Sequence, residues 1–314
     1  MKKFTPIILW LLLGAFILTA CGANPAQDSG SGKLNVVATT SIIGDVVANI
    51  SGDAVDLTVL IGIGQNPHSF EPTPRDLAAV ETADVIFVNG LDLEEVLMSA
   101  IEKTATGTVI TVSNGINPLP FGEDGHADEG NHATGDPHFW VDPNNVIIWA
   151  ENIAQALSDA DPANAAAYQT NAESYIGELH DLDTYIRQQT ATIPEADRKI
   201  VTDHNSMGYF AEEYGYRIVG AVIPSISDTG GASAGEVASL ANLMIAENVR
   251  VIFIGDTASQ GMQALAQALA DEIGGEVKIV TLLSGSLAPQ GQPGDTYLDY
   301  LRYNTDQIVA GLGN

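Results

Sequence analysis

Short apolar runs alternate with amphipathic segments in two series, and this alternation restricts the possible fold more than any other feature of the chain. The first series predicts strands at residues 34–39, 55–60, 84–88 and 108–112, and helices at 42–50, 75–81 and 93–103. The second predicts strands at 199–202, 217–222, 249–254 and 277–280, and helices at 207–214, 235–247, 261–273 and 297–310. Strands that alternate with helices favour parallel sheets covered on both faces. The sequence therefore predicts an α/β fold of two lobes, each with a mostly parallel four-stranded sheet flanked by helices.

A long helical stretch separates the two series. Residues 144–158 have helical apolar spacing, and Asp161-Pro162 resembles an N-cap followed by a proline at the first helical position. Residues 163–190 contain no proline and would form a helix of about 40 Å at about 1.5 Å per residue. A connector of this kind predicts a rigid link and disfavours wide clamshell closure. The predicted division is an N-terminal lobe at 33–142, linker helices at 143–193 and a C-terminal lobe at 194–314.

The N-terminus has the pattern of an export signal. A charged start precedes an apolar run at 7–18, which is too short for a membrane span. The run ends in Leu18-Thr19-Ala20-Cys21-Gly22, which resembles a bacterial lipobox. This pattern predicts a signal peptide at 1–20, lipid on Cys21 and a flexible tether at 21–32; the alternative is a free cysteine behind a non-lipidated signal. The expected location is the outer side of the cell membrane, facing the periplasm or the cell exterior.

The composition restricts the partners. The net charge is −28, which argues against binding to nucleic acid or to anionic lipid. An acidic surface suits a protein that attracts cations, but it could equally serve solubility alone. Cys21 is the only cysteine, so no disulfide is expected. We expect a monomer that reaches the membrane only through its lipid.

Three of the six histidines lie in dense local motifs, and imidazole is the commonest protein ligand for transition metals. His68 follows the second predicted strand, His138 precedes the linker helices, and His204 directly follows the strand at 199–202. Because open α/β sheets bind ligands beyond the C-terminal ends of their strands, we expect the three side chains to converge in one cleft between the lobes. His180, among acidic residues of the long helix, is interpreted as a surface residue.

A bound divalent cation would usually need a fourth ligand. The best candidate is Asp295, which follows Pro293-Gly294 and could otherwise be the N-cap of the last helix. Asp256, after the strand at 249–254, is the rival candidate.

At these residues the chain resembles the metal-binding lipoproteins of bacterial ABC importers for zinc and manganese, the ZnuA/TroA-like solute-binding proteins. The resemblance covers essentially the whole body after the signal. It is carried by Asn66-Pro67-His68-Ser69-Phe70-Glu71-Pro72-Thr73-Pro74, Ala83-Asp84, Asn89-Gly90-Leu91, Asp136-Pro137-His138-Phe139-Trp140, His204, Gly208-Tyr209-Phe210, Tyr214-Gly215, Gly294-Asp295-Thr296-Tyr297 and Tyr303-Asn304.

This resemblance implies two α/β lobes joined by a long helix, with His68, His138, His204 and Asp295 as metal ligands. It also implies capture of a metal ion and its delivery to an ABC permease driven by an ATPase. One departure from the family is Gly255-Asp256, where a glutamate often follows the strand, and this leaves the role of Asp256 open.

The ligand set predicts the metal. Three imidazoles and one carboxylate suit four-coordinate zinc, whereas manganese prefers more oxygen ligands. Family members tuned for manganese commonly carry a carboxylate at the position of His204, so zinc is favoured, although a bidentate Asp295 would suit manganese. The acidic, glycine-rich segment at 122–135 contains His126 and His132, which form a possible auxiliary metal loop or a plain solvated loop.

Two other classes of function remain as alternatives. A mononuclear zinc hydrolase would need an open coordination position and a general base, but the chain has no His-Glu-x-x-His motif and four ligands would close the site. The sequence therefore favours a protein that is not an enzyme. A surface adhesin, a role sometimes found in the resembling family, would be compatible with metal binding.

Overall fold

A computed structural model describes residues 32–120, 135–225, 227 and 231–313. Residues Lys33–Asn314 group into one compact unit. The predicted signal, Cys21 and the two histidines at 126 and 132 lie outside the described residues. Among the described helices, none combines the length and the apolar character needed to cross a bilayer.

The N-terminal lobe is built on one parallel sheet. Its strands are β1 (Leu34–Thr40), β2 (Val55–Ile61), β3 (Val85–Val88) and β4 (Thr108–Thr111), in the order β2-β1-β3-β4. Its helices are α1 (Ser41–Ser51), α2 (Pro74–Thr82) and α3 (Glu95–Thr104). β3 is buried along its whole length, which explains its unbroken apolar sequence.

Two helices connect this lobe to the next. α4 (Pro143–Ala160) is followed by α5 (Ala165–Thr190), which has 26 residues. The buried residues of α5 recur at intervals of three and four and form one apolar face: Tyr168, Ala172, Tyr175, Leu179, Leu182 and Ile186. This spacing explains how a helix whose other residues are mostly polar packs against its neighbours through one apolar face.

The C-terminal lobe has a second parallel sheet of the same strand order. Its strands are β5 (Lys199–Thr202), β6 (Arg217–Ala221), β7 (Val251–Gly255) and β8 (Lys278–Leu282), in the order β6-β5-β7-β8. Its helices are α6 (Gly208–Tyr214), α7 (Ala234–Ala246), α8 (Gln260–Ile273) and α9 (Tyr297–Leu312). The predicted fold class, two parallel four-stranded α/β lobes joined by a long helix, is confirmed.

The linker contacts both lobes. α5 packs against α4 and α1, and also against α6 and α9 of the C-terminal lobe. One hydrophobic core runs through both lobes and includes the fully buried rings of Trp149, Phe210 and Tyr297. The exact lobe boundaries proposed from the sequence, and the rigidity of the linker, stay predictions.

The start of α9 differs from the sequence-based expectation. Thr296, and not Asp295, is the N-cap, since its side chain accepts a hydrogen bond from the backbone N–H of Asp299. Asp295 lies one residue too early to accept this bond.

Asp142 is a buried acid at a structurally important position. Its side chain caps α4 by accepting a hydrogen bond from the backbone N–H of Asn144. Burial raises the pKa of Asp142 to about 6, and the nearby carboxylates of Glu213 and Asp183 add to this effect. Because the folded protein holds this proton more tightly than the unfolded chain, Asp142 contributes stability that is fully present below about pH 3.8 and lost as the pH rises through about 6.

Between pH 4 and pH 7 we therefore expect the wild type to lose about 1–2 kcal/mol of unfolding free energy that Asp142→Asn does not lose, since one pKa unit is worth about 1.4 kcal/mol. Urea unfolding of both proteins across this pH range measures the difference. Asp159→Asn, at an exposed position of the same helix, is the control and should leave the pH dependence unchanged. Parallel stability curves for Asp142→Asn and the wild type would contradict the assignment.

Candidate metal centre

The structure brings three of the predicted side chains together. His68 lies in a 3-10 turn (Pro67–Ser69) after β2, His138 precedes a 3-10 turn (Phe139–Val141) that leads into α4, and His204 follows β5. One ligand atom from each histidine lies within 4.8 Å of the others. Nε2 of His138 is 3.1 Å from Nε2 of His68 and 3.3 Å from Nε2 of His204. His138 and His204 are buried, whereas His68 is partly exposed.

Each histidine is fixed by a side chain just before it in the sequence. The Asn66 Oδ1 accepts a hydrogen bond from the backbone N–H of His68 at 3.0 Å. Asp136 and Asp203 do more, because one oxygen of each carboxylate contacts both the backbone N–H and the ring Nδ1 of its histidine. The Asp136 distances are 2.9 and 2.7 Å to His138, and the Asp203 distances are 2.7 and 2.8 Å to His204.

Burial favours the neutral form of two of the three rings, those of His68 and His138. Burial lowers the pKa of His68 to about 2, and the neighbouring imidazoles of His138 and His204 add to this effect. Burial also lowers the pKa of His138, against the opposing influence of Asp136. Burial alone would raise the pKa of Asp203, but the hydrogen bond and the charge interaction with His204, together with the N–H of Gly255, outweigh burial and lower it. Neutral imidazoles next to ionised carboxylates are the form that binds a metal ion.

The spacing of the nitrogen atoms matches a metal site. Nδ1 of His138 and of His204 each lies beside a carboxylate oxygen, and the two Nε2 atoms face each other. If each Nδ1 carries the proton, both Nε2 atoms present lone pairs. Tetrahedral zinc with Zn–N distances of about 2.0–2.1 Å places its nitrogen ligands roughly 3.3 Å apart. The observed separations of 3.1 and 3.3 Å are close to this value. Facing lone pairs at this distance repel each other unless a cation or a proton lies between them.

The structure does not bring Asp295 to this group. Its carboxylate accepts a hydrogen bond from the backbone N–H of Gly291 at 2.6 Å, inside the loop before α9. Burial raises the pKa of Asp45 in α1 to about 6, and the charge of Asp295 adds to this effect. The rival candidate, Asp256, accepts a hydrogen bond from the backbone N–H of Ser284 at 3.0 Å and is also outside the group. The candidate ligand set among the described residues is therefore the three histidines, without the aspartate.

The loop after β8 packs against the segment that carries His68. The backbone N–H of Gly64 donates to the Ser286 hydroxyl at 2.8 Å, and the backbone N–H of Leu287 donates to the Ser41 hydroxyl at 3.0 Å. A Cβ at Gly285 would lie 2.4 Å from Cδ of Pro67, so this close approach requires glycine. The site thus forms where the two lobes touch.

Sequence reasoning missed the roles of Asp136 and Asp203. The available signal was an acidic residue one or two positions before each buried histidine, a spacing that allows contact with both the backbone N–H and the ring. His180, in contrast, is exposed on α5, as interpreted from the sequence.

Two parallel α/β lobes, a long connecting helix and three histidines at the junction define a two-lobed protein with a candidate site for one metal ion. The chain belongs to the family of the zinc-uptake complex component A, periplasmic (ZnuA), whose model matches residues 36–311. Members of this family are substrate-binding proteins of metal ABC transporters and not enzymes. The resemblance identified from the sequence motifs is therefore confirmed.

Characterised relatives extend over nearly the whole chain. The manganese-binding lipoprotein MntA of Halalkalibacterium halodurans is 34% identical over 304 residues, which cover 96% of each chain. The iron ABC transporter substrate-binding lipoprotein MtsA of Streptococcus pyogenes is 32% identical over 320 residues, which cover 99% of each chain. The periplasmic zinc-binding protein TroA of Treponema pallidum is 28% identical and aligns with a TM-score of 0.78 over 90% of this chain and 100% of its own. The names of these relatives include three different metals, so family membership does not determine the metal.

Proposed function

We propose that His68, His138 and His204 bind one zinc ion at the junction of the lobes, and that the protein delivers this ion to an ABC importer. The observation that carries the proposal is the spacing of the Nε2 atoms at 3.1 and 3.3 Å, with Nδ1 of the two buried rings 2.7 and 2.8 Å from a carboxylate oxygen. Among the described residues, the ligand group contains nitrogen only. Zinc accepts such a set, whereas manganese favours oxygen ligands.

The delivery step requires a membrane partner and a fixed location. We propose that the chain is anchored by lipid on Cys21 through the 21–32 tether and docks on a permease that an ATPase drives. This proposal is supported by the lipobox-like sequence and by the names of the relatives, which describe lipoproteins and ABC transporter components. Manganese, as named for MntA, is the alternative cargo for the same type of importer.

The deciding experiment is metal uptake by cells. Affinity alone is a weak criterion, because zinc binds more tightly than manganese at most protein sites. Cells that lack the gene would be complemented with the wild-type chain or with His204→Ala and supplied with labelled zinc or labelled manganese. We expect the wild-type chain to restore uptake of zinc but not of manganese, and His204→Ala to restore neither. Restoration of manganese uptake alone would overturn the assignment of zinc.

A further inference from the structure

We propose that Asp203 and Asp136 are positioning residues that determine which ring nitrogen His204 and His138 present to the metal ion, and that Asp203 has the stronger effect. The inference rests on the proposed metal site and adds a role for two carboxylates that do not themselves face the ion. It follows from the direction of each hydrogen bond around these buried side chains.

Asp203 accepts three N–H groups. Its Oδ1 contacts the backbone N–H and Nδ1 of His204, and its Oδ2 accepts from the backbone N–H of Gly255 at 2.6 Å. Gly255 is the last residue of β7, the strand next to β5, so this carboxylate joins the ends of two neighbouring strands. Because both backbone groups can only donate, an ionised carboxylate is the side chain that satisfies all three.

A carboxylate oxygen beside Nδ1 fixes the tautomer of the ring. Nδ1 must carry the proton to donate, and Nε2 is then left with a lone pair. The same reasoning applies to His138, whose Nδ1 lies 2.7 Å from Asp136. The two Nε2 atoms that lie 3.3 Å apart are therefore both metal-binding atoms.

The third histidine, His68, has no carboxylate in this position. The neutral amide of Asn66 accepts the backbone N–H of His68 instead.

The test is Asp203→Asn, which keeps the shape of the side chain. An amide has one acceptor oxygen and one NH2 group, so it cannot satisfy three donors. If the oxygen stays with His204, the NH2 group faces the N–H of Gly255; if the amide flips, the NH2 group faces Nδ1, and His204 shifts its proton to Nε2. We expect zinc affinity to fall by about 10–100-fold. We also expect 15N NMR of metal-free Asp203→Asn to show a larger population of the Nε2–H tautomer of His204 than in the wild type, which a purely structural role for Asp203 would not produce.

Two further variants complete the experiment. Asp84→Asn is the control for loss of one charge, because the Asp84 carboxylate accepts the backbone N–H of Asn35 at the opposite end of the N-terminal sheet. This variant should leave affinity and tautomers unchanged. If Asp203→Asn does not unfold cooperatively, the variant is not properly folded. Asp136→Asn then tests whether a carboxylate beside Nδ1 fixes the tautomer, this time for His138.

The outcomes separate this inference from the proposed function. Wild-type affinity in Asp203→Asn with His204 still in the Nδ1–H form would overturn the inference, and the same result in Asp136→Asn would overturn it for His138. Failure of the wild-type protein to bind zinc would instead remove the proposed function, while the tautomer measurement on metal-free protein would still decide the roles of the two carboxylates.

Discussion

Replacement of His138 by alanine is expected to lower the affinity for zinc by about a thousandfold. His138 is the central member of the group, since its Nε2 lies 3.1 Å from His68 and 3.3 Å from His204. Structural zinc sites bind with about 10–16 kcal/mol, so the loss of one of three protein ligands costs roughly 4 kcal/mol, and every 1.4 kcal/mol is a factor of ten. Competition titration with a chromophoric zinc chelator measures this change.

The control is His180→Ala, because His180 is exposed on α5 and removed from the candidate centre. Its affinity for zinc should equal that of the wild-type protein. Comparable losses in both variants would show that zinc binds through dispersed surface histidines and would remove the three-histidine site from consideration. Thermal unfolding of the metal-free variants verifies that both remain folded.

Gly285→Ala is expected to weaken zinc binding by roughly tenfold to a hundredfold, although Gly285 does not contact the ion. The added Cβ would lie 2.4 Å from Cδ and 2.9 Å from Cγ of Pro67, the residue before His68. A proline ring cannot rotate away, so the loop after β8 or the His68 segment must move, at a cost of about 1–3 kcal/mol for an overpacked contact. Zinc titration and thermal unfolding of the same samples measure the two effects.

Gly177→Ala is the matched control for this substitution. Gly177 lies within α5, and a Cβ there meets nothing within 4 Å. Alanine should therefore raise the free energy of unfolding by about 0.5–1 kcal/mol and leave zinc affinity unchanged. Equal affinity in Gly285→Ala and in the wild-type protein would show that the contact between the lobes at Pro67 does not control the position of His68.

The lobes could be predicted from the sequence because their signals are local. The buried strand β3 is a continuous apolar run, and α5 repeats its apolar residues at helical spacing. The strand order could not be predicted in the same way, since β2 and β3 follow each other in the chain but lie on opposite sides of β1. Convergence of the three histidines could also be predicted, since His68 and His204 follow the C-terminal ends of strands, where open α/β sheets bind their ligands.

The limits of prediction were equally physical. Asp295 follows a Pro-Gly pair that indicates a turn, but the sequence does not reveal that Gly291 supplies the N–H that this carboxylate accepts. The contact of Asp203 with Gly255 joins residues 52 positions apart in the chain and depends on the pairing of β5 with β7. The approach of Gly285 to Pro67 likewise exists only after both lobes have assembled.

The packing of α5 along both lobes has a consequence for recognition by the permease. The predicted rigidity of α5 would leave the molecule little freedom to signal its cargo by opening and closing the lobes. An empty and a filled carrier would then differ mainly in surface contour around the mouth of the cleft. A permease that distinguishes the two forms would have to recognise displacements of single loops. This favours a docking interface that contacts the loops around the opening of the cleft.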